Sequence, residues 1–327
     1  MSENEKNALR DKSTLKPEVS RLRLWVYLVP IMSVPILIFV AAILVIPSDW
    51  FAERSGDTFL PALGYGADLR NMNCAVAVYG DSSALIGVNP GVIEKRTGLK
   101  TCNIAEVQGV TVVNGTMVVD DFLKHNPPPQ YLVFLYAPEN YAPQTRRGDP
   151  EVPAFEGITY RFKRHGNLSS LIVLMKHPDE LFSWVIHGTR MAITGIFTKP
   201  FPSEVKQRRS RSQGQGFLNF SAIKQCSYRS LARQPDVEFM RGLRSRYSNS
   251  STTVLVDSME LPECDPDIAY FRHSLSGLID NEIGTLPVGD YYGGGRHANP
   301  NGSVPLSNMI ADQILGRIDR ERTIGAR

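Results

Sequence analysis

A serine and a histidine far apart in the sequence are the residue types that acyl transfer needs. Ser82 follows an apolar run at residues 74–79 and precedes a helical pattern at 84–98. Continuous apolar runs are typical of buried parallel strands, and open α/β sheets bind ligands at the carboxyl ends of their strands, beside helix N-termini. Ser82 is therefore a candidate nucleophile, and Ser83 is a less favoured alternative. Serine is also a common helix N-cap, so Ser82 could instead serve only the helix.

His297 is the candidate general base for this serine. A serine hydroxyl is a poor nucleophile unless a base lies within hydrogen-bond distance. His297 stands just before the last predicted helix, at residues 306–318, so its loop returns to the same edge of the sheet. The other histidines lack a comparable motif and are interpreted as surface or packing residues: His125, His165, His177, His187 and His273.

An uncharged segment at residues 24–46 predicts a membrane span. At about 1.5 Å per residue it can cross a hydrocarbon core about 30 Å thick. The positive-inside rule places residues 1–23 in the cytoplasm and the chain after about residue 48 outside, because basic residues precede the segment and no basic excess follows it. A cleaved signal peptide is less favoured, because the apolar run is too long and no small-x-small site follows closely. The sequence therefore predicts a single-pass cytoplasmic-membrane protein with a periplasmic or extracellular C-terminal domain.

Two short motifs resemble those of the SGNH (GDSL-type) hydrolases. One is the Gly-Asp-Ser that ends at Ser82, and the other is the His-x-Asn-x-x-Gly that begins at His297. With one amino-terminal anchor, the chain is similar more narrowly to the anchored SGNH proteins that O-acetylate exported polysaccharides. This resemblance spans roughly the soluble part of the chain. It implies an acyl-serine at Ser82, a polysaccharide acceptor and a membrane-embedded acyltransferase partner that supplies the acyl group, since acyl-CoA is absent outside the cell.

The resemblance also implies an oxyanion hole. Its donors would be the backbone N–H of Ser82, the backbone N–H of Gly109 after the second strand, and the side chain of Asn140 after the third strand. The family's usual Gly-x-Asn-Asp is not present around Asn140, so this residue could equally be a turn residue. Asn299 and Gly302 are expected to shape the loop that enters the last helix.

The carboxylate partner of the histidine is where the chain departs from the family. The family's acid stands three residues before the histidine, a position that Gly294 occupies here. Asp290 could supply the carboxylate if the glycines at 293–295 let the loop fold back towards His297. Otherwise the site is a Ser-His dyad or is weakened.

The order of apolar runs predicts one α/β domain at residues 73–327, after a linker at 47–72. We predict a three-layer α/β/α sandwich with a flavodoxin-like parallel sheet of about five strands. The predicted strands are at 74–79, 101–105, 131–136, 252–257 and 283–288, and the predicted helices are at 84–98, 110–124, 236–247, 267–279 and 306–318.

An insertion at about residues 142–230 interrupts this alternation. Charges within its apolar part argue against a second membrane span, so we predict cap helices over the carboxyl edge of the sheet that reach the bilayer surface. The basic runs at Arg146-Arg147 and at 206–211 could hold an anionic sugar chain. The second run could instead hold a lipid headgroup, and a mobile, solvated loop is its simpler interpretation.

The four cysteines suit an exported domain but are too few to define a disulfide framework. Cys74 and Cys102 fall near the starts of the first two predicted strands, which would be parallel neighbours, so they could pair. Each could instead be a small buried hydrophobic residue. Spacing gives no argument about Cys226 and Cys264.

Composition narrows the function further. A net charge of +3 on 327 residues is too small to indicate nucleic-acid binding. The sequence contains no metal-ligand spacing, phosphate-binding glycine loop or nucleotide fingerprint, so no cofactor or metal is expected. Two classes of function stay open: an extracytoplasmic acyltransferase or esterase, which the serine and histidine favour, and a catalytically degenerate SGNH-fold protein that binds glycan or scaffolds a membrane assembly, which Gly294 favours.

Overall fold

The computed structural model describes residues 16–141, 154–176, 178–200, 233–292 and 297–325. It is an α/β structure in which four strands form a parallel sheet. Before the sheet come α1 (Lys16–Val45), α2 (Asp49–Arg54) and α3 (Tyr65–Asp68). The next elements are β1 (Val76–Gly80), α4 (Ser82–Gly87), α5 (Pro90–Thr97), β2 (Thr101–Asn103), α6 (Gln108–Asn114), α7 (Met117–Leu123) and β3 (Tyr131–Tyr136).

The second part of the chain contains the cap helices and the end of the fold. The cap helices are α8 (Ala154–His165), α9 (Asn167–Leu174) and α10 (Pro178–Ile196). They are followed by α11 (Val237–Tyr247), β4 (Thr253–Ser258), β5 (Leu261–Pro262), α12 (Ile268–Ser274), β6 (Thr285–Leu286) and α13 (Pro300–Gly325). The predicted Arg146-Arg147 and 206–211 basic runs lie outside the described residues.

The main sheet has the strand order β2-β1-β3-β4, with every neighbouring pair parallel. All residues of the two central strands, β1 and β3, are buried. Their continuous apolar sequences fit this position, because helices shield both faces of an all-parallel sheet from water. The first four predicted strands and the neighbouring positions of the first two are confirmed.

A disulfide joins Cys74 to Cys102, with their Cα atoms 5.8 Å apart. Cys102 lies in β2, whereas Cys74 lies two residues before β1. The predicted pairing is therefore confirmed, and the bond ties the entrance of β1 to its neighbour. Cys264 is also disulfide-bonded, and Cys226 lies outside the described residues.

The prediction of a fifth strand in the main sheet is wrong. Of residues 283–288, only β6 is extended, and it pairs with β5 in a separate two-stranded sheet. Side chains occupy the outer edge of β4 instead. The Asp280 carboxylate accepts from Val256 N–H (2.8 Å), and the Asn281 amide oxygen accepts from Ser258 N–H (2.9 Å), so these polar groups of the edge strand have partners.

Helix α1 contains an apolar stretch, Trp25–Val45, that is long enough to cross a membrane by length and composition. Only 6% of its most apolar window is buried in the protein. The segment predicted as a linker after it carries α2 and α3, and its Phe51 and Leu60 are buried in the core. Helix α1 is therefore followed directly by packed structure and not by a free linker.

The cap helices pack on this segment and on the sheet's helices. Lys163 forms an ion pair with Asp49 (2.9 Å), and Trp184 Nε1 donates to Thr159 Oγ1 (2.9 Å), which joins α10 to α8. A Cβ atom at Gly157 would overlap the carbonyl oxygen of Gly109. Helix α8 is thus in backbone contact with α6, the helix that begins at the carboxyl end of β2.

Candidate active site

Ser82 is the first residue of α4 and stands directly beyond the carboxyl end of β1. The N-cap of this helix is Asp81, whose Oδ1 accepts from Ser83 N–H (2.8 Å). The alternative role of Ser82 as a helix cap is therefore wrong. Ser83 is only 2% exposed, whereas Ser82 is partly accessible, so Ser82 is the better placed of the two for reaction with a ligand.

His297 Nε2 lies 2.9 Å from Ser82 Oγ, across 215 residues of sequence. The predicted meeting of these side chains is confirmed. The serine hydroxyl donates this hydrogen bond when the imidazole carries its proton on Nδ1, which is the tautomer that a general base requires.

A small hairpin holds the histidine in place. Tyr292 N–H donates to the carbonyl of His297 (2.8 Å), and Asn299 N–H donates to the carbonyl of Asp290 (2.8 Å). The Asn299 side chain then joins this loop to α13, because its Oδ1 accepts from Asn301 N–H (2.9 Å) and its Nδ2 donates to the carbonyl of Gly289 (2.6 Å). The predicted loop-shaping role of Asn299 is confirmed.

Gly302 supports the same hairpin by close approach. A Cβ atom here would overlap the backbone oxygen of Asp290, so only glycine lets α13 start against this loop. This finding confirms that Gly302 shapes the loop, as predicted.

The structure does not bring the Asp290 carboxylate to His297. In the described part of the chain, this carboxylate forms no hydrogen bond or ion pair with the imidazole, and Asp290 acts through its backbone carbonyl. The position three residues before the histidine, Gly294, lies outside the described residues. The serine and histidine are therefore the two predicted catalytic residues that meet.

The two predicted backbone donors stand at helix N-termini. Ser82 begins α4, and Gly109 is the second residue of α6. The first N–H groups of a helix have no intrahelical acceptor, and no acceptor for either group lies within the described residues. Both groups can thus donate to an anion formed at the carboxyl edge of the sheet.

Asn140 lies in a short 3₁₀ turn after β3 and is held on both sides. Its Nδ2 donates to Asp81 Oδ2, and its Oδ1 accepts from Gln108 Nε2 (2.8 Å). Asn140 is therefore both in a turn and anchored to the residue that precedes Ser82.

Sequence reasoning missed two residues of this network, Asp81 and Gln108. Asp81 is fully buried, and its second oxygen also accepts from Ala137 N–H (3.0 Å). Burial raises the pKa of Asp81, while the hydrogen bonds from Asn140, Ala137 and Ser83 oppose this rise. A signal for Asp81 was present in the sequence, because an aspartate between a buried strand and a helix is a favoured N-cap.

The arrangement provides a nucleophile, a base and donors for a developing oxyanion, which together suit acyl transfer. Among the described residues, no group of three or more His, Cys, Asp or Glu side chains could hold a metal ion. No protein-family model matches this sequence, and no curated protein and no solved structure matches it either.

Proposed function

We propose that this chain is a membrane-anchored SGNH-type acyltransferase or esterase that works outside the cytoplasm through an acyl-serine at Ser82. The contact of 2.9 Å between Ser82 Oγ and His297 Nε2 is the observation that carries the proposal. The parallel sheet and the helix N-termini at its carboxyl edge support it. The proposal includes a three-layer α/β/α sandwich as the fold.

In the first step, Ser82 Oγ attacks the carbonyl carbon of an acyl donor, and the hydroxyl proton passes to His297 Nε2. The negative charge that develops on the carbonyl oxygen is stabilised by the N–H groups of Ser82, Gly109 and Asn140. The bond to the leaving group then breaks, and the leaving group takes the proton from His297. The acyl group is now an ester of Ser82.

In the second step, an acceptor hydroxyl gives its proton to His297 and attacks the ester carbon. The bond to Ser82 Oγ breaks, and Oγ takes the proton from His297, which restores the starting state. A sugar hydroxyl as acceptor makes the protein a transferase, and water makes it an esterase, so exclusion of water decides between them.

We propose a hydroxyl of an exported polysaccharide as the acceptor and acetyl as the acyl group. The anchor would hold the site beside the membrane, where a membrane-embedded acyltransferase could deliver the acyl group. The acceptor and the partner rest on the resemblance to anchored SGNH proteins that acetylate polysaccharides.

The catalytic assignment is tested with a fluorophosphonate probe, which reacts with activated serines. The full chain should be labelled, Ser82→Ala should not be, and Ser83→Ala is the matched control that should keep its label. In cells, Ser82→Ala should abolish acylation of the glycan while its export continues. Persistent acylation in that strain would refute the assignment of Ser82 as the nucleophile. Equal release of acetate by the purified protein with and without acceptor glycan would mean that the protein is a hydrolase and not a transferase.

A second candidate is a catalytically degenerate protein that binds glycan or scaffolds a membrane assembly. The observation in its favour is that, in the described residues, the Asp290 carboxylate makes no contact with His297. This candidate predicts no labelling of the full chain by the probe and unchanged glycan acylation in the Ser82→Ala strain. The same two measurements therefore distinguish both candidates.

For localisation, we propose that residues 24–46 span the cytoplasmic membrane with the N-terminus inside and the catalytic domain outside. The length and composition of α1 support a span. A reporter that is active only outside the cytoplasm, fused after residue 327, should be active. A signal from a cytoplasmic reporter at the same position would overturn this topology.

A further inference from the structure

Helix α10 presents three different stripes around its circumference. One stripe is buried and faces the protein: Leu181, Trp184, Val185, Gly188 and Gly195. A second stripe is apolar yet 55–68% exposed: Phe182, Ile186, Ile193 and Ile196. A third is exposed and polar, with members that include Asp179, Ser183, His187, Arg190 and Thr194. The exposed surface of this helix is therefore itself amphipathic.

The apolar stripe of α10 continues onto the surface of α1. A groove of about 810 Å³ lies between the two helices. From α1 it is lined by Pro35, Ile36 and Phe39, and from α10 by Phe182 and Ile186, with Arg190 and Thr194 of the polar stripe also in its lining. A second groove, nearer the end of α1, is lined by side chains that include Leu44, Val45, Ile193 and Ile196. Gly188 allows α10 to pack directly against Ile46. The two helices therefore share one apolar surface.

The position of this surface along α1 indicates what covers it. Residues 35–46 make up roughly the last 18 Å of the apolar stretch at about 1.5 Å per residue. They belong to the half of a hydrocarbon core about 30 Å thick that lies nearer the folded domain. Leu37 and Leu44 of α1 are 65% and 64% exposed in the protein, so lipid is their neighbour if α1 spans. Lipid that fills this side of α1 also meets the stripe on α10.

Helix α9 carries a further stripe of the same kind. Leu168 and Ile172 of α9 and Met175, the C-cap residue directly after it, recur at i, i+4 and i+7 and are 74%, 63% and 59% exposed. Soluble monomers rarely expose contiguous apolar patches larger than a few hundred Å². Water is therefore a poor environment for this pair of helices.

We propose that α9 and α10 lie in the bilayer leaflet nearer the domain, beside α1, with the apolar stripe of α10 against lipid acyl chains and its polar stripe turned away from them. This inference rests on the proposed membrane anchoring by α1 and not on the proposed acyl transfer. It makes the cap a second membrane attachment. Because α10 is bonded to α8, and α8 contacts Gly109, the attachment fixes the height of the candidate site above the membrane.

The test places a nitroxide label on each exposed stripe of the full-length protein in lipid vesicles. Phe182→Cys reports on the apolar stripe, and the adjacent Ser183→Cys is the matched control on the polar stripe. Unsubstituted protein treated with the same reagent gives the blank. We measure collisions of the label with oxygen, which concentrates in lipid, and with a water-soluble nickel chelate. Repeating both labels in the Ser82→Ala background separates this test from the proposed chemistry, because membrane contact should not change.

Lipid contact predicts that the ratio of oxygen to nickel collisions at position 182 exceeds that at position 183 by at least about tenfold. High nickel accessibility at both positions would place the stripe in water and overturn the proposal. Low accessibility to both reagents at position 182 would indicate cover by protein, such as a second copy of the chain, and would also overturn it.

Discussion

The carboxylate of Asp81 connects the ends of two strands by accepting a hydrogen bond from the side-chain amide of Asn140. The same carboxylate caps α4 through Ser83 N–H and accepts from Ala137 N–H. One buried side chain thereby fixes the start of α4, and with it Ser82, relative to a candidate oxyanion donor. The geometry of the site depends on an acid that performs no proton transfer in the proposed mechanism.

We expect Asp81→Asn to slow fluorophosphonate labelling of Ser82 by at least about tenfold and to lower the free energy of unfolding by about 1–3 kcal/mol. The asparagine nitrogen cannot accept, so at least one of the three present donors loses its partner. Labelling rates and thermal unfolding measure the two effects. The control is Asp236→Ala, which removes the N-cap of α11 (Phe239 N–H, 2.9 Å). Asp236→Ala should lower the free energy of unfolding by about 1 kcal/mol without slowing the labelling of Ser82. Slow labelling in both variants would mean that the loss of stability alone explains the slower labelling of Asp81→Asn.

The backbone contact between α8 and α6 should also affect the site. In Gly157→Ala the added methyl group would overlap the Gly109 carbonyl and the Val113 side chain, so α8 must shift. We expect a loss of about 1–3 kcal/mol in stability and slower labelling of Ser82, because Gly109 is a candidate donor. Gly242→Ala is the matched control, since nothing lies within 4 Å of the added atom. The free energy of unfolding of Gly242→Ala should rise by up to about 1 kcal/mol, and its Ser82 should be labelled at the normal rate. Normal labelling of Gly157→Ala would show that the packing of α8 does not affect the reactivity of Ser82.

Asp290→Asn should change the labelling rate less than about twofold, because the structure gives this carboxylate no contact with His297 and uses its backbone carbonyl, which the substitution keeps. Removing the aspartate of a working triad instead lowers turnover by about 10⁴-fold. Labelling rates of Asp290→Asn and His297→Ala measured side by side decide the question. A loss in Asp290→Asn that approaches that of His297→Ala would restore the predicted triad.

The Cys74–Cys102 bond closes a loop with a sequence separation of 28 residues. In the chain-entropy model, a loop of this size contributes about 3–4 kcal/mol to stability. We expect the double substitution Cys74→Ala, Cys102→Ala to lose roughly this amount in urea denaturation. The reduced parent protein should lose at least this amount, because reduction also breaks the disulfide bond of Cys264. Unchanged stability of the double variant and of the reduced parent would show that the Cys74–Cys102 bond does not form.

The sequence predicted the features that depend on local pattern and on parallel topology. Continuous apolar runs identified β1, β3 and β4, because burial on both faces imposes such runs. Ser82 and His297 were expected to meet because both precede helices at the carboxyl edge of one sheet, and they do. Their contact follows from strand direction and needs no knowledge of side-chain packing.

The features that the sequence did not predict depend on contacts between side chains that lie far apart in the chain. Gln108 reaches Asn140 over 32 residues, and a single polar contact of this kind leaves no periodic signal. A fifth strand was predicted at residues 283–288 from the order of apolar runs, but Asp280 and Asn281 already bond the edge of β4. An apolar run does not show whether the edge that it would pair with is already occupied.

The last prediction concerns Asp257, a fully buried carboxyl at the end of β4 that accepts from Gln313 Nε2 (3.2 Å). Burial, and next the charge of Asp280, raise the pKa of Asp257 from 3.8 to about 7. The folded chain therefore keeps a proton that the unfolded chain releases between about pH 4 and pH 7. Stability contributed by this group is complete below about pH 4 and is lost as the pH rises to about 7.

Asparagine at this position has the same shape and does not ionise, so Asp257→Asn should remove this pH dependence. Each pKa unit corresponds to about 1.4 kcal/mol. Between pH 5 and pH 8, the free energy of unfolding of the parent should therefore fall by roughly 2–3 kcal/mol relative to that of the variant. Denaturation of both full-length proteins in one detergent at several pH values measures this difference. A difference that stays constant with pH would mean that the carboxyl ionises in the folded protein as it does in water, and that the interior at the end of β4 is better solvated than the structure indicates.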